Sequence, residues 1–193
     1  MSRFFSAIAP DRFAVPTKNR LYLVLSWIHA VIQERLRYVP TGWSQAYEFT
    51  EADAHHGLDV IDSLIEKACS AKQNVSPDKV PFAAIRATLC KGVFGGRVTV
   101  PADQVILDNL VNNVMLPNCY DVNFSFVQGY HKDALPRLPD SSSREDCLDW
   151  IESLPSYTSP TWIGLDASAE AVRAQMIANS VAKKYDSLRK QEE

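Results

Sequence analysis

Apolar residues crowd every face of the stretch Leu21-Tyr22-Leu23-Val24-Leu25 and continue at Trp27 and Ile28. A helix that is apolar all round is covered on several sides. Thr17 stands where a cap belongs, and the helix it opens is predicted to run from Lys18 to about Tyr38, about 31 Å at 1.5 Å per residue. Its last turns are polar, with Gln33, Glu34, Arg35 and Arg37, before Pro40 and Gly42 stop it. One end of this helix is therefore expected in the core and the other at the surface. Gly42 to Phe49 follows with three aromatic residues, Trp43, Tyr47 and Phe49, which should pin this connector onto the helix.

The apolar period of 3.6 then returns several times. Thr50 and Asp53 form a capping box ahead of Leu58, Ile61, Leu64, Ile65 and Ala68. Lys72 to Val80 reads as a polar linker with a turn at Ser76-Pro77. Pro81 opens a helix carrying Phe82, Ile85, Leu89 and Val93, closed by Gly95-Gly96 as a C-terminal cap. Thr99 to Pro101 starts another, with Val105, Ile106, Leu110, Val111 and Val114 as its stripe. Beyond Pro117 the pattern changes. The alternation Val122-Asn123-Phe124-Ser125-Phe126 suggests one short strand. A second capping box at Ser143 and Asp146 precedes a helix to about Leu154 that buries Cys147, Leu148, Trp150 and Ile151. A last helix starts near Ser168 with Val172, Met176, Val181, Tyr185 and Leu188, and its charged end from Lys183 onward is expected to fray. The fold class expected is all-α: a bundle of about four helices over residues 1–120, an irregular or strand-bearing connector over 121–142, and a small helical segment over 143–193.

Composition adds little and excludes much. The chain of 193 residues is 46% hydrophobic and 22% charged, ordinary for a globular protein. Twenty basic against 23 acidic residues give a net charge of −3, which argues against a dedicated nucleic-acid binder. No stretch approaches the 20 or so apolar residues a membrane span needs, and Met1 to Pro16 does not read as a signal peptide. Cys69, Cys90, Cys119 and Cys147 contain no CxxC pair, so they are expected to be reduced thiols rather than zinc ligands. No GxxxxGK[ST] or GxGxxG loop, GxSxG elbow or HExxH helix occurs.

Few residues suggest chemistry. His29 and Gln33 share a helix face. Catalysis there needs a nucleophile or metal the sequence does not supply, so a polar network within a helical interface is expected. His55 and His56 are adjacent and diverge by about 100°, as a solvated helix start would have them. His131 lies in a loop with nothing paired to it in sequence. Gly95-Gly96-Arg97 could form an anion-binding nest, but a tight turn with Arg97 in a structural ion pair is the preferred reading.

Several segments resemble the dynein heavy chain. They are Leu25 to Arg35 with its HAxxQER core, Arg37 to Trp43, Tyr47-Glu48-Phe49, Pro81 to Arg86, Phe94-Gly95-Gly96-Arg97-Val98, Gly129 to Asp133, Leu154-Pro155 and Pro160 to Leu165. Asn74 to Pro81 is similar to the cytoplasmic branch. Thr41 and Phe94 depart mildly from the usual residues. The resemblance implies the helical lid of the sixth AAA+ module over residues 1–120, leading into the start of the C-terminal domain. It implies a non-catalytic, mechanical part of an ATP-driven, minus-end-directed microtubule motor in the cytoplasm. No cofactor is expected in this chain, ATP and magnesium being bound elsewhere in the motor. The partners implied are the other AAA+ modules of the same heavy chain, with accessory chains and microtubules reached only through the whole motor. Contact residues expected on that reading are His29, Gln33, Glu34, Arg35, Gly42, Trp43, Gly95, Gly96, Arg97 and Trp162. A free-standing helical adaptor for a protein partner is the alternative.

Overall fold

The computed structural model describes residues 1–69, 75–127, 135–156 and 158–192. Among them are seven α-helices and no strand, so the fold is all-α. The segment Gly129 to Asp133, with His131, lies outside the described residues, as do residues 72–74 of the predicted linker.

The organising element is α2 (Pro16–Arg35), in which fourteen of twenty residues are buried. It touches α1 (Ser2–Ala7), α3 (Glu51–Ala68) and α5 (Pro101–Val114), and short 3-10 turns at Pro10–Ala14, Pro117–Tyr120 and Pro160–Ile163. Each fully buried Leu or Ile here contributes about 1.5–3 kcal/mol, and Leu21, Leu23, Leu25, Ile28 and Ile32 all qualify. The predicted cap is corrected. Pro16 occupies the first turn, its fixed φ already suited to a helix, and Val15 precedes it without a side-chain cap. The Thr17 hydroxyl instead donates to the Val75 carbonyl at 2.5 Å. The polar end is corrected too, because Arg35 is only 4% exposed. The helix stops there and tightens into a 3-10 turn, Leu36–Tyr38.

α3 starts on the capping box expected at Thr50 and Asp53. It buries Ala54, Leu58, Ile61 and Ile65 and leaves Ala68 exposed. α4 (Phe82–Thr88) passes directly into a π-helical turn, Leu89–Val93, then a 3-10 turn, Gly95–Arg97. Phe82, Ile85, Leu89 and Val93 are buried as the period required. The glycine pair is not a left-handed cap, because Gly164 is the one positive-φ residue among those described. Gly95 is required by close approach: a Cβ there would lie 1.6 Å from the Cys90 carbonyl oxygen.

In α5 the buried row is Asp103, Leu107, Val111 and Val114, while Val105 is 58% exposed. The row begins with an aspartate, which a count of apolar residues passes over. The predicted strand at Val122 to Phe126 is absent. That alternation serves aromatic packing: Phe126 stacks on Trp27 with centroids 4.7 Å apart and tilts against Trp150 at 5.6 Å.

α6 (Arg144–Glu152) packs on α1 and buries Cys147, Trp150 and Ile151. Its capping box is half-formed: the Ser143 hydroxyl accepts from Asp146 N–H, but Ser143 N–H donates to Ser141 Oγ. α7 (Ala169–Glu192) is rooted where the Tyr38 hydroxyl donates to Glu170 at 2.8 Å and Arg173 lies over the Tyr38 ring. It is helical to Glu192. No helix among the described residues is long and apolar enough to cross a membrane.

Candidate functional site

The buried guanidinium of Arg35 is the centre of a junction that joins the end of α2 to the connector seven residues on and to a turn 128 residues away. Its Nε donates to the Gly42 carbonyl at 3.0 Å and its Nη1 to the Ile163 carbonyl at 2.6 Å. A longer contact of 3.3 Å reaches the Gly164 carbonyl. The cation lies 5.6 Å from the centre of the Trp43 ring, within the range of a cation–π attraction. Burial lowers the Arg35 pKa to about 10, with Asp103 opposing the drop, so the group is still charged at neutral pH.

Gly42 and Trp43 follow from this geometry. A Cβ on Gly42 would stand 2.1 Å from the Arg35 carbonyl oxygen. Only a glycine lets the chain turn back so closely. Trp43 is fully buried, and its indole N–H donates to the Ile32 carbonyl at 3.1 Å. The last four carbonyls of a helix have no intrahelical partner, so this bond caps α2 from the side. Tyr47 and Phe49 pack their rings on Trp43 at 5.9 and 5.6 Å. The aromatic connector is therefore pinned onto α2 as its composition predicts.

Sequence reasoning missed the other half of the junction. Asp103, fully buried in the first turn of α5, accepts from Ser44 N–H, the Ser44 hydroxyl and the Tyr47 hydroxyl, the last at 2.6 Å. Burial alone would raise its pKa, but these donors outweigh it and hold the carboxyl below its usual range. The available signal was an acid in a first helical turn, where the helix dipole favours it.

Arg97 makes the structural ion pair expected of it. Its Nε and Nη2 both donate to Asp53 Oδ1, at 3.0 and 2.9 Å. The other oxygen of Asp53 accepts from Thr50 N–H and hydroxyl. One carboxylate thus caps α3 and ties it to the glycine turn. Gly96 beside it faces open space.

Gln33, Glu34 and Trp162 are brought together. All three line a cleft of about 290 Å³, with Trp27, Val31 and Pro155. Gln33 also reaches the Phe49 carbonyl at 3.4 Å, and Glu34 pairs with Arg37 at 2.6 Å. His55 and His56 are exposed, as expected of a helix start.

His29 departs from the expected polar network. It is 2% exposed, and among the described residues neither ring nitrogen meets a hydrogen-bond partner. The rings of Phe4 and Phe94 flank it at 5.4 and 6.2 Å. Burial, aided by the positive N-terminus, lowers its pKa to about 4 from 6.5. The unfolded chain therefore takes up this proton first as pH falls. The neutral imidazole's share of stability is intact above pH 6.5 and drains away between 6.5 and 4, a loss of about 3 kcal/mol. His29→Leu removes the proton site. Wild-type urea midpoints should fall faster than the variant's over that pH interval, and parallel curves would refute the assignment.

The thiols are held inert. Burial pushes Cys90 and Cys119 up to about 12 and Cys147 to about 11, far from the depressed values of reactive cysteines. All four cysteines are free and buried. Among the described residues no three His, Cys, Asp or Glu side chains gather as a metal-binding group. The polar groups of the junction act on the chain's own backbone.

A family model of the dynein heavy chain AAA lid domain matches residues 18–169. The chain is 35% identical over 172 residues to a cytoplasmic dynein heavy chain of Caenorhabditis elegans, covering 88% of this chain and 4% of that protein. It is 33% identical over 173 residues to the Dictyostelium discoideum protein and 37% identical over 179 residues to that of Paramecium tetraurelia. These matches cover 90% and 91% of this chain. The chain spans only 4% of the length of each of these relatives. With most of its length matched by that model, the chain belongs to the dynein heavy chain AAA lid family.

Proposed function

We propose that the chain works as a non-catalytic mechanical module of a dynein heavy chain, in a cytoplasmic, ATP-driven motor directed to microtubule minus ends. Residues 1–120 would be the lid bundle of the sixth AAA+ module, 121–142 a connector and 143–193 the start of the C-terminal domain. ATP and magnesium would be held by other modules, and microtubules and accessory chains reached through the whole motor.

The observation that carries this reading is the Arg35 junction inside a chain of this family. It fixes α2, the Gly42-Trp43 connector and the Ile163-Gly164 turn to one another. An element built this way moves as a body, and rigid-body rotation at interfaces is how such assemblies carry conformational change. Arg97, 42% exposed at its side chain, and the Trp162 cleft are where neighbouring modules would bear on it.

The test is Arg97→Ala at this position in a complete heavy chain. The Thr50–Asp53 box keeps α3 capped without Arg97. Microtubule stimulation of the ATPase should fall by about two- to thirtyfold, the range for residues that modulate coupling between sites. Nucleotide binding at the first module should not change. Full stimulation in the variant would refute the mechanical role of this turn. The adaptor alternative draws on the uncovered face of α7. An antibody against this chain separates the two readings, by detecting either a far larger polypeptide or a band near 21.6 kDa.

A further inference from the structure

The π-helical turn after α4 decides where the glycine turn points. The Phe94 N–H reaches back five residues, to the Leu89 carbonyl at 3.0 Å. In an α-helix it would reach four, to Cys90. The turn Leu89–Val93 thus takes up one more residue than an α-helix would over the same path. Wound as α-helix throughout, the same sequence would turn Phe94 and Arg97 by about 100° about the helix axis. Both depend on the present register. Phe94 is fully buried beside His29, with ring centroids 6.2 Å apart, and Arg97 meets Asp53 on α3.

The π turn has a cost, and α5 offsets it. The Cys90 carbonyl loses the Phe94 donor, and Cys90 is buried, so water does not take its place. Gln104, near the start of α5, supplies the missing bond: its Nε2 donates to the Cys90 carbonyl at 2.9 Å. Its second N–H goes to Asp108 Oδ1 at 2.7 Å, one turn further along α5. The other oxygen of Asp108 pairs with Lys91 of the π turn at 2.8 Å. The same amide borders the glycine turn, since a Cβ on Gly95 would stand 3.2 Å from Gln104 Oε1. Two side chains of α5 therefore hold the π turn and its exit.

We propose that Gln104 is a positioning residue: by donating to the Cys90 carbonyl it keeps residues 89–93 in the π register and so aims Arg97 at Asp53. This deepens the mechanical role proposed for the Arg97 turn and rests on that reading for its consequence. A displacement of α5 would reach the Arg97 face through one side-chain bond.

The 193-residue chain tests the aim of Arg97 without any motor activity. An NMR titration of the Asp53 carboxyl reads whether the guanidinium is in place. Burial pushes that carboxyl up, but the Thr50 N–H, Arg97 and the Thr50 hydroxyl outweigh burial and hold it below its usual range. Arg97→Ala should raise it. Gln104→Leu keeps the bulk of the side chain without the donor and should raise it by at least half as much. The two changes together should raise it no further than Arg97→Ala alone. Deleting Gly92 from the Gln104→Leu chain removes the extra residue and returns the Cys90 carbonyl to the Phe94 N–H, so Asp53 should come back down. A general loosening of the bundle would not be repaired by a shorter chain. An Asp53 carboxyl unmoved by Gln104→Leu would overturn the proposal, as would a deletion that leaves it raised or unfolds the chain. In a complete heavy chain, Gln104→Leu should lower microtubule stimulation as Arg97→Ala does. If both variants keep full stimulation while Asp53 moves as expected, the positioning role stands and the mechanical role of the turn falls.

Discussion

Arg35→Ala should lower the unfolding free energy by about 3–5 kcal/mol, the cost of removing one member of a buried charged network. The loss has three sources. The carbonyls of Gly42 and Ile163 lose charge-assisted donors at 3.0 and 2.6 Å, each such bond contributing about 1.5–3 kcal/mol. The Trp43 ring loses the cation over its face. Asp103, buried nearby, loses a favourable positive charge. Arg35→Lys restores a charge but not the planar fork whose Nε and Nη1 reach residues 42 and 163 at once, so it should recover less than half of the loss. Urea denaturation decides the matter, as a shift in midpoint at unchanged slope. A loss under about 1 kcal/mol for Arg35→Ala would mean that these bonds are replaced by water at little cost.

This junction also marks where sequence reading stops. The helices of the bundle were legible because period and punctuation agree: Pro101 starts α5, the Thr50–Asp53 box starts α3, and Phe82, Ile85, Leu89 and Val93 all turn inward. The aromatic connector was legible because three rings cannot stay in water. Arg35 was misplaced because local pattern puts an arginine in a last helical turn on the surface, whereas its partners Ile163 and Gly164 lie 128 and 129 residues away. Asp103 was missed for a related reason. A buried acid is tolerable only when donors converge on it, and Ser44 and Tyr47 come from another element. The false strand at Val122 to Phe126 came from trusting alternation without a neighbouring strand to pair with.

Trp43→Ala should cost about 3–5 kcal/mol as well, by a different route. The indole is fully buried and packed edge-on to Tyr47 and tilted on Phe49. Its removal leaves a cavity beside α2, strips the Ile32 carbonyl of its indole donor and frees the connector that presents Ser44 to Asp103. Trp43→Phe separates packing from hydrogen bonding. It fills much of the space but offers no N–H, so about 1–3 kcal/mol should remain missing, the cost of an unmet buried acceptor. The same denaturation measurement on both variants ranks the two effects, and equal losses would assign the whole role of Trp43 to its hydrogen bond.

The distance spanned by Arg35 sets an order of events during synthesis. Its acceptor at Ile163 is made 128 residues after it, about 6–25 s at the usual 5–20 residues per second. Throughout that interval α2, with fourteen of its twenty residues destined for burial, has emerged without the turn that closes one side of it. The guanidinium keeps its hydration shell during that time, and the neighbouring end of α2 cannot dry. Completion is thus deferred to the arrival of Pro160 to Gly164, which makes those residues the latch of the nascent chain. A ribosome stalled before them would display a bundle that chaperones recognise as unfinished.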